Sequence, residues 1–169
     1  MFLFRNVEKS VYAMVKALFT APTGGLAAPY TVYSEGDFWN DKLVPTFPYL
    51  FLMGYRVEPR QTKLPLIIVE VGPRQRSYYE TGNRKGTYVQ TALHVFGRTR
   101  GERSDLAAYL YHHLELLPLY DYSTDPPTLR YTVPIDNPWS VPVSPGEALG
   151  QEGVLANWES LQFGFQLRD

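Results

Sequence analysis

The sequence contains no cysteine in its 169 residues. That absence removes disulfides, thiolate nucleophiles and cysteine-bound zinc together. Histidine is nearly as scarce, and the three present make no metal-ligand pattern. His112 and His113 are neighbours in a helical stretch, where successive side chains diverge by about 100°, and His94 stands alone in a strand-like run. No His-x-x-x-His or Glu-x-x-His spacing occurs. Also missing are a Gly-x-Ser-x-Gly elbow and a Gly-x-x-x-x-Gly-Lys-[Ser/Thr] phosphate loop. Gly82-Asn83-Arg84-Lys85-Gly86 has the wrong glycine spacing for such a loop and leads into a strand, so no helix terminus aims its amides at a phosphate. No run approaches the ~20 apolar residues that a membrane-spanning helix needs, and no membrane partner is expected. Met1-Phe2-Leu3-Phe4-Arg5 has no basic leading region and no apolar run before Arg5 and Glu8, so no signal peptide is expected. A formal net charge of −1 lacks the basic excess of proteins that hold nucleic acid by bulk electrostatics, leaving only local basic patches.

Proline, otherwise plentiful with 14 residues, is absent between Arg74 and Leu117 and again after Pro145, so regular structure is expected in those windows. With 44% hydrophobic and 20% charged residues, the chain has the composition of one globular domain over residues 1–169. Its 13 tyrosines and 9 phenylalanines suit either a β-rich core or subunit contacts. From Glu8 to Thr20, an apolar face of Val7, Val11, Met14, Val15 and Leu18 predicts a helix that ends before Pro22-Thr23-Gly24-Gly25. Pro29 to Ser34 reads as a brief strand followed by a turn at Glu35-Gly36-Asp37. From Phe47 to Val57, apolar residues on both faces predict a strand inside a sheet. Residues 121–153 are rich in proline and turn formers. They read as an irregular insertion with short strand pieces at Tyr131 to Ile135 and Trp139 to Val143. From Trp158 to Leu167, Leu161, Phe163, Phe165 and Leu167 alternate with polar residues and glycine, predicting a half-buried closing strand.

The most informative stretch runs from Leu64 to Tyr122. Leu64 to Gly72 reads as a strand, Pro73 to Gly86 as a long basic loop, and Thr87 to Phe96 as a second strand. Thr99-Arg100-Gly101-Glu102 matches a capping box, and Leu106, Leu110, His113, Leu114 and Leu117 predict a helix from Glu102 to Leu117 stopped by Pro118. The loop of about 14 residues is long for a hairpin connection. It carries the candidate contact residues Arg74, Arg76, Tyr78, Tyr79, Arg84 and Lys85, suited to an acidic partner subunit or to a channel that carries DNA. The enzymatic alternative is a metal-dependent nuclease built on Glu70, or a DNA-processing factor that uses the basic loop. The position two residues on, where such a site places lysine, holds Gly72, and no Pro-Asp strand precedes it.

The order of these elements resembles the tail terminator and neck proteins of tailed bacteriophages. The resemblance is carried by Phe47-Pro48-Tyr49-Leu50, Pro65-Leu66-Ile67-Ile68-Val69-Glu70-Val71, Glu80-Thr81-Gly82 and Gly101-Glu102-Arg103-Ser104-Asp105-Leu106, and covers roughly residues 4–122. It implies an α/β (α+β) fold: a mixed, mainly antiparallel sheet packed with the N-terminal helix and the central helix. It further implies a homo-oligomeric ring of six copies that caps the tail tube protein and joins it to the head–tail connector or adaptor proteins. The location implied is the neck of a virion assembled in the host cytoplasm, with DNA passing through the lumen without sequence recognition. A head-closure or adaptor role is the nearest alternative. No catalytic centre, metal or cofactor is implied.

Overall fold

A computed structural model describes residues 4–22, 29–78, 85–142 and 158–168. The elements in chain order are α1 (Phe4–Thr20), β1 (Thr31–Tyr33), α2 (Glu35–Trp39), β2 (Tyr49–Met53), β3 (Leu66–Tyr78), β4 (Lys85–Phe96), α3 (Arg100–His113), β5 (Leu116–Asp121), β6 (Thr128–Pro142) and β7 (Trp158–Arg168). The strands form one seven-stranded sheet in the order β1-β2-β3-β4-β7-β6-β5. The pairings β1–β2 and β2–β3 are parallel, and all the others are antiparallel. This is a mixed, mainly antiparallel α+β fold, as the sequence predicts.

Alternation along the strands divides the core into two layers. Leu50 and Leu52 of β2, Ile67 and Val69 of β3, Leu93 and Val95 of β4, and Leu161, Phe163 and Phe165 of β7 point to one side. There they meet Val7, Val11, Val15 and Phe19 of α1 and Leu106 and Leu110 of α3. On the other face, the described residues form a second core over β2, β3 and the adjoining ends of β4 and β7. In it Phe51, Met53, Leu66, Ile68 and Phe96 pack around Phe38 of α2, with Trp158 at the margin. Strands buried on both faces need apolar residues at successive positions, which is the pattern that β2 and the first half of β3 carry.

Several expected boundaries shift. The turn expected at Glu35-Gly36-Asp37 is the start of α2, because Asp37 caps it by accepting from the Ser34 amide at 3.0 Å. The central helix ends at His113 and not at Leu117. Its stripe continues to Leu114, whose N–H closes the last turn on Leu110, and Leu117 then enters the core from β5 together with Leu119. Pro118 therefore sits within an edge strand, where a missing N–H costs nothing. At the other end the Thr99 hydroxyl accepts from the Glu102 amide at 3.2 Å, as expected of a cap, but the Glu102 carboxylate reaches back to the Arg98 N–H. Gly97 is held close here, since a Cβ on it would lie 2.6 Å from the Arg103 nitrogen.

The expected irregular insertion contains β5's final residue and all of β6, a 15-residue strand that pairs with both β5 and β7. Its three prolines hid it. The register shifts between Asp136 and Trp139, and Asn137 there takes a positive φ of 46°, a conformation asparagine tolerates better than most residues. The rest of the predicted insertion, residues 143–157 with Val143, lies outside the described residues.

Two polar ties hold the helices to the sheet. Arg103 of α3 and Glu159 of β7, both nearly buried, form an ion pair at 3.3 Å, and Ser140 of β6 donates to Glu159 at 2.9 Å. Asp121, at the end of β5, accepts from Asn6 of α1 at 3.3 Å, from the Ser123 hydroxyl at 2.6 Å and amide at 3.0 Å, and from the Arg130 guanidinium. The Ser123 hydroxyl and Arg130 hold its pKa well below the usual carboxylate range.

Two outcomes are expected. Phe163 is buried and Gln162 lies on the opposite face, and burial of such an aromatic is worth roughly 1.5–3 kcal/mol. Phe163→Asp should give insoluble or unfolded protein while Gln162→Asp yields soluble protein with a near-native melting temperature. Asp121 binds its proton more weakly when folded than when unfolded. Its contribution is therefore complete above its ordinary pKa of 3.8 and is lost as the pH falls through the depressed value. Asp121→Asn should melt below wild type near neutral pH, and thermal scans in progressively stronger acid should show the gap closing.

Candidate functional site

Most of the expected basic loop is strand. Residues 73–78 continue β3 and residues 85–86 open β4, pairing Arg74 with Val89, Arg76 with Thr87 and Tyr78 with Lys85. Of the six candidate contact residues, Arg74, Arg76, Tyr78 and Lys85 thus sit on two paired strands, while Tyr79 and Arg84 lie outside the described residues. Strand pairing wins over the loop-like composition because Thr87 to Val95 has its own partner on the other side. β7 runs beside β4 from Phe96↔Trp158 to Gly86↔Arg168 and supports it along its length. This pairing also brings Arg168 to the end of the sheet that carries the hairpin cations. Sequence reasoning missed Arg168, although the matched lengths of the two alternating runs are a signal that could have paired them.

The register breaks once in β3, between Val71 and Arg74. Gly72 and Pro73 together oppose a single position, and Gly72 has φ +138°, a region that only glycine enters readily. Before the break the odd-numbered residues Ile67 and Val69 face α1 and α3. After it the even positions 74, 76 and 78 share the side of Val89. The break therefore aligns positions 74, 76 and 78 with position 85 on one side of the sheet.

The opposite face holds the only catalytic candidate the sequence offered. Glu70 is half exposed and paired with His94 Nε2 at 3.1 Å, and the His94 ring packs on Trp158 at 5.7 Å between centroids. Among the described residues no group of three or more His, Asp or Glu side chains is placed to hold a metal. His113, half-buried, holds the Tyr109 carbonyl at 2.8 Å, and His112 is exposed. These histidines cap and cover the end of α3.

Two further surfaces stand out for exposed apolar side chains. In the connection between α2 and β2, Val44 is 84% and Phe47 72% exposed, and the exposed Trp39 and Tyr55 at the ends of α2 and β2 are joined by a Trp39 Nε1 to Tyr55 hydroxyl bond at 3.3 Å. Arg60 lies over the Trp39 ring at 4.9 Å. Across the sheet, Trp139 and Val141 are exposed at alternate positions of the β7-paired part of β6, while Leu116 and Leu129 are exposed separately on the β5–β6 pair. The sheet's own edges offer little for pairing. β1 has three residues. On β5, Pro118 has no N–H and the Tyr120 N–H donates to Ser10 of α1 at 2.9 Å. Among the described residues the sheet edges thus offer little for strand addition by another chain. No helix among the described residues is long and apolar enough to cross a membrane. No protein-family model matches the chain, and no curated protein matches it significantly.

Proposed function

We propose that this chain is a virion structural protein, a tail terminator that closes the tail tube as a ring of six copies and joins it to the head connector. The observation that carries this reading is the presence of exposed apolar side chains on two separate parts of the sheet, Trp39, Val44, Phe47 and Tyr55 around α2 and β2, and Trp139 and Val141 on the part of β6 that pairs with β7. A closed ring is built from a heterologous contact, in which one subunit surface meets a different surface of its neighbour. Two unlike apolar patches on well-separated parts of one fold supply that requirement, and aromatic residues are favoured at such contacts. The order of elements from α1 to α3, with helices packed on a mixed sheet, adds support through the resemblance stated above. In this reading the chain has no catalytic role and the β3–β4 hairpin acts by contact.

The test is the assembled particle together with the purified protein. A reconstruction should place six copies around the tail axis at the head-proximal end. One copy per virion, or a position off the axis, overturns the terminator reading. Phe47→Asp and Trp139→Asp should each abolish ring formation, read by mass photometry with tail tubes present, while leaving a folded monomer. Replacing Arg74, Arg76, Arg84 and Lys85 with serine should leave folding intact and lower the yield of heads joined to tails. Normal infectious yield from that variant would make the hairpin a solvated turn.

A further inference from the structure

We propose that residues 34–48, the crossover between β1 and β2, form a strap that opens and closes over the second core layer. Buried Lys63 keeps that closure reversible. The ends of the segment are fixed, because β1 pairs with β2 and β2 with β3. Between them α2 has five residues, too few for a helix that holds itself. Its docking therefore depends on what it buries, and over residues 34–47 Phe38 alone is buried. Phe38 seats among Phe51, Met53, Leu66, Ile68 and Phe96. Elements with so little burial belong to the low-stability end of a fold and open without global unfolding.

The second anchor is a charge. Lys63, in the single turn Gln61–Lys63 ahead of β3, is 3% exposed. Its Nζ donates at 2.8 Å to the carbonyl of Asn40, the residue that caps the C-terminus of α2, and lies 5.5 Å from the centre of the Phe51 ring. None of the ion pairs among the described residues includes it. The Asn40 carbonyl also accepts from the Leu43 N–H at 3.1 Å, so it stays bonded without the lysine. Arg60 adds a surface clasp, 4.9 Å over Trp39 and 3.6 Å from Asp41, which solvent screening keeps weak. The Lys63 ammonium has exchanged its hydration for one carbonyl and one ring, and it recovers water when the strap lifts. An apolar side chain in its place would gain from closure and lose on opening. Lys63 thus fixes where the strap sits while weakening its hold. Because the strap carries Val44 and Phe47, its opening moves exposed apolar side chains as well as uncovering buried ones.

The experiment is hydrogen exchange of the purified full chain in low denaturant, followed by NMR. The reporters are the amides of Phe38, Asn40 and Leu43, which bond within the strap to the carbonyls of Ser34, Asp37 and Asn40. In wild type they should exchange at least about tenfold faster than the amides of the β4–β7 seam, and with less dependence on denaturant. Lys63→Met should slow them by about tenfold, because an apolar side chain of similar length replaces a desolvated charge. Phe38→Ala should speed them while the seam stays protected. Exchange of strap and seam at one rate with one denaturant dependence in wild type overturns the strap. Faster or unchanged exchange in Lys63→Met makes the lysine a plain tie and overturns its releasing role, as does a Lys63→Met chain that fails to fold. The readout needs no ring, so failure of the terminator reading leaves it intact.

Discussion

The seam between β4 and β7 is the constraint on which the rest of this structure depends. It pairs the strands continuously from Gly86↔Arg168 to Phe96↔Trp158 without a register shift. Because side chains alternate, a slip of one residue would send every core residue of β7 to the wrong face. The alternation of Leu161, Phe163, Phe165 and Leu167 under α1 and α3 forbids that slip. With this register held, β4 can carry β3 along its other edge, and β7 can carry β6 and through it β5. The ion pair of Arg103 with Glu159 anchors α3 at the same seam. A buried pair of this kind adds little net stability over an apolar one, yet removing one partner is costly, so its effect is to make a single placement of α3 acceptable.

Against that continuity the break at Gly72 is informative. β3 is regular where it is sandwiched between helices and departs from regularity where the cover ends. A residue inserted in the covered part would misplace the core, while one inserted beyond it changes only what the outer half presents. The same logic applies to β6, whose break at Asn137-Pro138 follows its buried half, Val133 and Ile135. Both strands thus have a section governed by packing and a section free to be aimed elsewhere.

What could be read from sequence follows this division. α1, the Thr99 cap, the two-sided strand β2 and the alternation of β7 each have residues whose only satisfactory burial is in that element, and each is legible. The Leu110, Leu114, Leu117 series was not decisive. Its spacing suits a helix, but Leu117 and Leu119 also alternate as strand residues do, and only the pairing of Leu117 with Val133 chooses between them. β6 was concealed because Pro134, Pro138 and Pro142 argue locally against a strand, and the partners that override this lie far away in the chain. The outer hairpin looked like a loop for the same reason, since its arginines, serine and tyrosines have no burial pattern of their own. The candidate residues were therefore visible as a group, while the placement of positions 74, 76, 78 and 85 on two paired strands was not.

The strand that completes the seam follows every other described element in the chain, yet lies inside the sheet, between β4 and β6. A ribosome makes the protein from the N-terminus, at roughly 5–20 residues per second. While the last strand is still to come, β4 and β6 each wait with an open edge and half-covered apolar residues. Unpaired strand edges of this kind invite association with other chains. Cotranslational folding can thus settle the first hairpin, but α3 gains its partner Glu159 and the sheet closes only after synthesis has passed Arg168. Its vulnerability to aggregation is accordingly greatest while β7 has not yet paired.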